Sequence, residues 1–134
     1  MTRRILVVDD DPAVGRTVER ALRAMGYDAL AVVDPKTAYE LLEAGDFDLV
    51  LLDINMPQMS GDALFLALIR RSPELATRVI LMSGDPCARE GWPTELRCCP
   101  LLGKPFTLEG LGRSVSQTLA AADERAPRRK RNGG

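Results

Sequence analysis

Short apolar runs alternate along the chain with longer stretches in which apolar residues recur at helical spacing. The runs are rich in Val, Ile and Leu, and they cover residues 5–8, 29–33, 49–52, 79–82 and 101–102. Continuous apolar runs of this length predict strands that are buried on both faces, as in a parallel sheet. Asp11-Pro12 and Asp34-Pro35 predict helix starts, since Asp caps a helix and Pro suits its first position.

Strand followed by helix, five times over, predicts an α/β fold, a doubly wound five-stranded parallel sheet with helices on both faces. Further helices are expected near residues 61–71 and after Thr107, the latter burying Leu108, Leu111, Val115 and Leu119. Residues 84–98 contain two prolines and Gly91, so only a short or irregular helix is expected there. The length of 134 residues suits one domain.

Polar residues lie at or near the carboxyl ends of four of the predicted strands. They are Asp9, Asp10, Asp53, Ser83 and Lys104. In open α/β sheets the functional site lies beyond the carboxyl ends of the strands, so these side chains should converge. Three carboxylates in one pocket repel one another unless a cation neutralises them, and a hard divalent ion such as Mg2+ prefers oxygen ligands.

This set of side chains is suited to accepting a phosphoryl group. A carboxylate can act as a nucleophile and form an aspartyl phosphate, and Asp53 is the candidate. Phosphoryl transfer also needs the charge on the phosphoryl oxygens neutralised, which Mg2+, the Lys104 ammonium and the Ser83 hydroxyl can provide.

Composition narrows the chemistry further. The chain has no histidine, which excludes Ser-His-Asp triads and histidine-bound zinc. Cys87, Cys98 and Cys99 are odd in number and lack zinc spacing, so reduced thiols are expected, with a redox-active Cys98-Cys99 pair as the alternative. No eighteen-residue apolar stretch and no signal peptide are present, so we expect a cytoplasmic protein without a membrane span.

Charge divides the chain into two parts. Residues 1–122 carry 13 basic and 17 acidic side chains, whereas residues 123–134 carry five and two. We therefore predict a folded domain over 1–122 and a basic, disordered tail over 123–134. Residues 128–131 could contact nucleic acid or an anionic membrane, but a solvated terminus is favoured, and no folded nucleic-acid-binding module fits in twelve residues. Met1 directly before the first strand suggests that nothing precedes the domain.

Four short motifs, in this order, resemble those of response regulator receiver domains of two-component systems, in particular single-domain, chemotaxis-regulator-like receivers. They are Val7-Val8-Asp9-Asp10-Asp11-Pro12, Leu52-Asp53-Ile54-Asn55-Met56-Pro57 with Gly61, Met82-Ser83-Gly84, and Lys104-Pro105-Phe106. The resemblance covers about residues 3–120 and implies the flavodoxin-like sheet order 2-1-3-4-5. It also implies a cis Lys104-Pro105 bond.

The same resemblance implies roles for the strand-end residues. Asp53 would be the phosphoacceptor and a metal ligand. Asp10 would bind Mg2+ directly, Asp9 chiefly through water, and Asn55 through its backbone carbonyl. Ser83 would be the hydroxyl that turns toward the phosphoryl group, and Lys104 the lysine typical of the family.

Two positions refine these expectations. The family often has Tyr or Phe three residues before the lysine, where this chain has Leu101, so the usual coupling of Ser83 to an aromatic ring is not expected. Asn55 and Asp85, two residues past the acceptor and two past the switch hydroxyl, flank the path of the hydrolytic water in receivers. Both are small and polar, which predicts rapid loss of the phosphoryl group.

The leading hypothesis is a phosphoacceptor signalling module, not an enzyme beyond its own phosphorylation and dephosphorylation. Its expected partners are a sensor histidine kinase or histidine phosphotransfer protein and a downstream protein that the sequence does not identify, with a phosphorylation-dependent dimer also considered. One alternative is a Mg2+-dependent phosphatase of the haloacid-dehalogenase type, although those place the nucleophile after the first strand. A second alternative is a degenerate receiver that binds partners without phosphorylation.

Overall fold

The computed structural model describes residues 2–45, 47–54, 66–67, 69–70, 73–85, 94–97 and 99–125. Its five strands are β1 (Arg4–Val8), β2 (Asp28–Val32), β3 (Leu49–Asp53), β4 (Val79–Ser83) and β5 (Leu101–Gly103). All neighbouring strands are parallel, in the order β2-β1-β3-β4-β5. The predicted α/β class and the order 2-1-3-4-5 are therefore confirmed, and this order is that of flavodoxin-like folds.

Within the described residues, four helices accompany the sheet: α1 (Pro12–Ala24), α2 (Pro35–Ala44), α3 (Thr94–Arg97) and α4 (Leu108–Arg125). A 3-10 segment, Pro73–Arg78, leads into β4, and residues 66–67 and 69–70 are also helical. Of the segment 84–98, where a short or irregular helix is expected, residues 84–85 and 94–97 are described, and 94–97 form α3. Within the described ranges, no helix has the length and apolar character needed to cross a membrane.

The strands bury side chains on both faces, as their continuous apolar character predicts. On one face, strand residues pack with Ala38 of α2; they are Leu6, Val8, Val50, Leu52, Val79 and Leu81. On the other face, strand residues pack with α1 and α4; they are Ile5, Val7, Leu49, Leu51, Ile80 and Met82. Two apolar cores thus fix the sheet between helices and hold its carboxyl edge in place.

Local hydrogen bonds set the helix ends where the sequence predicts them. The Asp11 carboxylate accepts a hydrogen bond from the Ala13 N–H (3.0 Å), and Asp34 accepts one from Lys36 (3.1 Å), each capping its helix. Gly45 ends α2 at a φ of 88°, a left-handed conformation that favours glycine.

The last helix differs from its prediction in two ways. Leu108, expected to be buried, is 57% exposed, because it stands in the first turn of α4, before the helix face that carries Leu111 and Val115 meets the core. The helix also continues to Arg125, past the predicted boundary at 122, so residues 123–125 are helical and not part of a disordered tail. Ala122 is buried, which anchors this extra turn.

Several expectations lie outside the described residues. They concern the loop with Pro57 and Gly61, the side chains of Leu64 and Leu68, the thiols of Cys87 and Cys98, and the tail from residue 126 onward.

Candidate functional site

The parallel register of the sheet brings the polar strand ends together. Val8 is level with Leu52, Asp53 with Met82, and Ser83 with Gly103. The residues that follow these positions therefore emerge at one edge, next to the starts of α1 and α4. Asp9, Asp53 and Ser83 are all buried there, which is rare for such residues unless they are paired.

Lys104 joins two of the carboxylates. Its Nζ donates a hydrogen bond to Asp9 Oδ2 at 2.9 Å and lies 3.3 Å from Asp53 Oδ2. The lysine side chain is 26% exposed, whereas those of Asp9 and Asp53 are 0% and 6% exposed. The ammonium thus approaches from the solvent side and compensates part of the buried negative charge.

The Asp9 carboxylate is held from two directions. Its Oδ1 accepts a hydrogen bond from the Asp11 N–H at 3.0 Å, while Oδ2 faces Lys104. Burial nevertheless raises the pKa of Asp9 above its usual value, and the nearby Asp53 charge raises it further. The bonds from Lys104 and Asp11 only partly offset these effects, so the charged form of Asp9 is costly in the metal-free protein.

The pKa of Lys104 moves in the opposite sense to what burial alone would cause. Burial lowers it, but the hydrogen bond to Asp9 and the two carboxylate charges together outweigh burial and raise the pKa above its usual value. The side chain is therefore a permanent cation at neutral pH.

Asp10 completes an acidic group at this edge. Carboxylate oxygens of Asp9, Asp10 and Asp53 all lie within 4.8 Å of one another, and Asp10 is the exposed member. With Lys104 beside them, the formal charge of the site is −2, which one divalent cation would balance. The donor atoms are all oxygens, which suits a hard cation and not zinc or copper.

Ser83 ends β4 in a hydrogen-bonded turn. Its Oγ accepts a hydrogen bond from the Asp85 N–H at 3.0 Å and donates one to the Asp85 carbonyl at 3.2 Å. The Ser83 carbonyl accepts from the Lys104 N–H at 2.8 Å, which fixes the end of β4 against the end of β5. The hydroxyl is thus close to the site but engaged with its own loop.

The structure brings together the side chains that the sequence placed at strand ends, namely Asp9, Asp10, Asp53, Ser83 and Lys104. Asn55 lies outside the described residues. The Lys104-Pro105 bond is cis, as the resemblance implies. Leu101 packs, partly buried, against the core on the α2 side.

Asp11 contributes to the site in a way that the sequence analysis does not predict. The sequence predicts only a helix cap at Asp11, yet its backbone N–H also holds Asp9. The signal was available, because an Asp often accepts from the N–H two residues later.

Comparison with known proteins agrees with this geometry. The response regulator receiver domain family matches residues 5–111. The response regulator receiver protein CpdR of Brucella abortus is 31% identical over 123 residues, covering 90% of this chain and 99% of CpdR. The sensor kinase CckA of the same organism is 32% identical over 124 residues, covering 89% of this chain but only 13% of the kinase.

A solved structure shows the same fold. The response regulator protein TrrA of Thermotoga maritima, in complex with Mg2+-BeF, superimposes with a TM-score of 0.78 at 25% identity, covering 87% of this chain and 99% of TrrA. Sheet order, acidic edge and relatives together assign the family. The chain belongs to the response regulator receiver domains of two-component systems, and it is a phosphoacceptor signalling module.

Proposed function

We propose that Asp53 is the residue that accepts the phosphoryl group, with Mg2+ bound beside it. The observation that carries this assignment is the position of its carboxylate, which is buried at the carboxyl edge, 3.3 Å from the Lys104 ammonium and grouped with Asp9 and Asp10. A nucleophile with cationic groups already around it needs little reorganisation for phosphoryl transfer.

In the transfer step, an Asp53 oxygen forms a bond to phosphorus while the bond from phosphorus to the donor's histidine nitrogen breaks. The electron pair of the broken bond stays on that nitrogen. Lys104 is placed to neutralise charge on the phosphoryl oxygens, and it must loosen one of its two carboxylate contacts to do so. Ser83 can donate to a phosphoryl oxygen only after its hydroxyl leaves the turn with Asp85.

For the metal, we propose Asp10 as a direct ligand, Asp53 as a second, Asp9 acting chiefly through water, and the Asn55 carbonyl as a further ligand. Mg2+ would supply positive charge that offsets the three carboxylates and the incoming phosphoryl group. The oxygen-only donor set and the formal charge of −2 support this choice, as does the Mg2+-BeF complex of the similar TrrA.

The proposed phosphodonor is a sensor histidine kinase or a histidine phosphotransfer protein in the cytoplasm. The chain has no histidine of its own and therefore serves as the aspartate station of such a relay. Its similarity to a segment of the sensor kinase CckA supports a role in signalling together with sensor kinases. Phosphorylation would change a protein-binding face, through which the chain would engage a downstream protein or dimerise. We propose no enzymatic turnover beyond its own phosphorylation and dephosphorylation.

The test is incubation with Mg2+ and a small phosphodonor, followed by intact mass measurement. The wild type is expected to gain one phosphoryl mass that alkali removes, and Asp53→Asn to gain none. Asp48→Asn is the matched control, since Asp48 lies just before the same strand at the opposite end. A mass gain that persists in Asp53→Asn, or no gain in the wild type, would contradict the proposal.

The same purified protein distinguishes the two alternative functions, a phosphatase and a degenerate receiver, from the proposed one. A phosphatase of the haloacid-dehalogenase type would release phosphate repeatedly from small phosphomonoesters, whereas a receiver would not turn them over. A degenerate receiver would show no mass gain while still binding its partners.

A further inference from the structure

The outer edge of β2 faces away from the rest of the sheet, because β1 is the one described strand that pairs with β2. The Asp28 N–H donates to the Arg3 carbonyl at 2.9 Å, and the Val32 carbonyl accepts from Asp9 at 3.2 Å, both on the β1 side. Backbone groups of alternate residues point to opposite sides of a strand. Ala29 and Ala31 therefore direct their N–H and C=O groups outward, where a further strand could pair.

Two side chains from α1 bind this outer edge. The Glu19 carboxylate accepts from the Ala31 N–H at 3.2 Å. The Arg23 guanidinium donates to the Ala29 carbonyl from Nε at 3.1 Å and from Nη2 at 3.0 Å. The same Nη2 lies 3.6 Å from Glu19 Oε2. The pair thus offers an acceptor and a donor two residues apart along β2, as a neighbouring strand would.

We propose that the Glu19–Arg23 pair closes the β2 edge against pairing with a second copy of this chain. The inference is independent of the phosphoacceptor role. Unpaired strand edges are templates for further strands, and natural proteins commonly block them with charged side chains. Here the blocking charges are supplied by a helix and bind the edge groups themselves.

The character of β2 points to a second copy as the excluded partner. Its sequence, Asp-Ala-Leu-Ala-Val, has a single charge, at its first residue. Leu30 and Val33 are 36% and 47% exposed beside the edge. Two identical edges related by a two-fold axis can pair antiparallel and cover these apolar side chains mutually. The opposite edge, β5, has only three residues and is a poorer template.

The experiment is sedimentation velocity of the full chain over a range of concentrations, without Mg2+ or phosphodonor. Glu19→Ala/Arg23→Ala is expected to self-associate at least tenfold more tightly than the wild type. The matched control is Glu109→Ala/Arg113→Ala, which removes another Glu–Arg pair four residues apart. That pair is 3.3 Å apart and exposed on α4, and the hydrogen bond and ion pair described for its side chains are internal to the pair.

A third variant identifies the route of association. Adding Leu30→Lys to Glu19→Ala/Arg23→Ala places a charge on the exposed edge and is expected to restore the monomer. Amide hydrogen exchange supplies the local measurement, since the Ala31 N–H should exchange faster in dilute Glu19→Ala/Arg23→Ala and regain protection as that variant associates. If the double variant loses its native circular dichroism, Arg23→Ala alone replaces it, with weaker but concentration-dependent association expected.

Three results would overturn the inference. One is a folded double variant that is no more associated than the wild type. Another is equal association of the Glu109→Ala/Arg113→Ala control, which would trace the effect to the loss of any surface ion pair. The last is association that Leu30→Lys leaves intact, which would place the contact elsewhere on the molecule.

Discussion

Charged side chains gather at both ends of the sheet, and the two groups differ in burial and in balance. At the amino end, Arg4 pairs with Asp28 at 3.3 Å, while Arg3 pairs with Asp123 and lies 3.9 Å from Asp48. These side chains are between 26% and 54% exposed. Two arginines accompany three aspartates there, so the formal charge is −1, half that of the carboxyl end.

At the carboxyl end, three carboxylates lie together, Lys104 contacts two of them, and the side chains of Asp9 and Asp53 are almost fully buried. Exposed, matched pairs typically contribute about 0–1 kcal/mol each to stability. Buried, unmatched charge costs stability unless a cation arrives. The comparison teaches that surplus buried charge, and not charge as such, marks the end of the sheet where chemistry takes place.

The largest effect is expected from removing a carboxylate at the carboxyl end. Asp10→Ala should abolish the stabilisation by Mg2+ that we expect for the wild type in thermal melts. That stabilisation is about 2.7 kcal/mol when the ion is at a hundred times its dissociation constant. Asp28→Ala at the amino end should leave it unchanged. Equal Mg2+ dependence in Asp10→Ala and wild type would remove Asp10 from the metal site.

A smaller effect concerns the lifetime of the phosphoryl group. Asn55→Arg and Asp85→Tyr should obstruct the hydrolytic water and slow phosphoryl loss about tenfold, equivalent to about 1.4 kcal/mol in barrier. Asp28→Tyr, an equally large change at the amino end, should not affect it. Time-resolved measurement in Mg2+ decides the matter. A wild-type half-life of many hours that these substitutions leave unchanged would exclude short-lived phosphorylation.

Neutralising an aspartate is expected to change stability at the carboxyl end and not at the amino end. The pKa of Asp9 is raised in the folded protein, chiefly by burial, so the folded state binds more protons than the unfolded chain. Its contribution to stability therefore falls as pH rises from 3.8 through the raised pKa. Asp9→Asn should stabilise the metal-free protein at neutral pH by about 1 kcal/mol, within the common range for stabilising substitutions.

Asp48→Asn is the comparison for Asp9→Asn, because Asp48 accepts from the Arg4 N–H at 2.9 Å and faces Arg3. It should give no stabilisation. Urea unfolding at several pH values measures both variants. The gain in Asp9→Asn over wild type should grow with pH and vanish in saturating Mg2+. A gain that is independent of pH would mean that the stabilisation does not come from removing an unfavourable negative charge at Asp9.

The smallest effect belongs to the exposed pairs. Arg3→Ala should cost less than about 1 kcal/mol, and high salt should reduce that cost because surface charges are screened. Phosphorylation of this variant should match that of the wild type. A decrease of several kcal/mol in the free energy of unfolding, measured in urea, would contradict this prediction. It would show that Arg3 contributes far more to stability than an exposed ion pair does.

Sequence patterns were sufficient to predict the strands and to predict that the site residues meet at one edge of the sheet. The apolar runs specify burial on both faces, and parallel strands necessarily bring Asp9, Asp53 and Ser83 to one edge. Patterns of this kind do not specify which exposed polar side chain reaches a distant element. The binding of Glu19 to β2 and the shared contact of Lys104 with two carboxylates therefore emerged only from the fold.

The extra turn of α4 escaped prediction for a related reason. Residues 123–125 carry charge and no apolar periodicity, so the sequence alone favours a tail. Burial of Ala122 and the pairing of Asp123 with Arg3, which lies 120 residues earlier in the chain, extend the helix instead.

The turn that holds the Ser83 hydroxyl has a consequence for the fidelity of signalling. That hydroxyl accepts one hydrogen bond from the Asp85 N–H at 3.0 Å and donates its own to the Asp85 carbonyl at 3.2 Å. A neutral occupant of the site, such as water, offers no better bond, whereas bonds to charged oxygens are roughly twice as strong. With Ser83 in its proposed role, the turn would set a threshold, so that the hydroxyl keeps its bonds to Asp85 when water is present and leaves them for a phosphoryl group. A serine whose hydroxyl is already hydrogen-bonded would therefore respond more selectively to a phosphoryl group than a serine with a free hydroxyl.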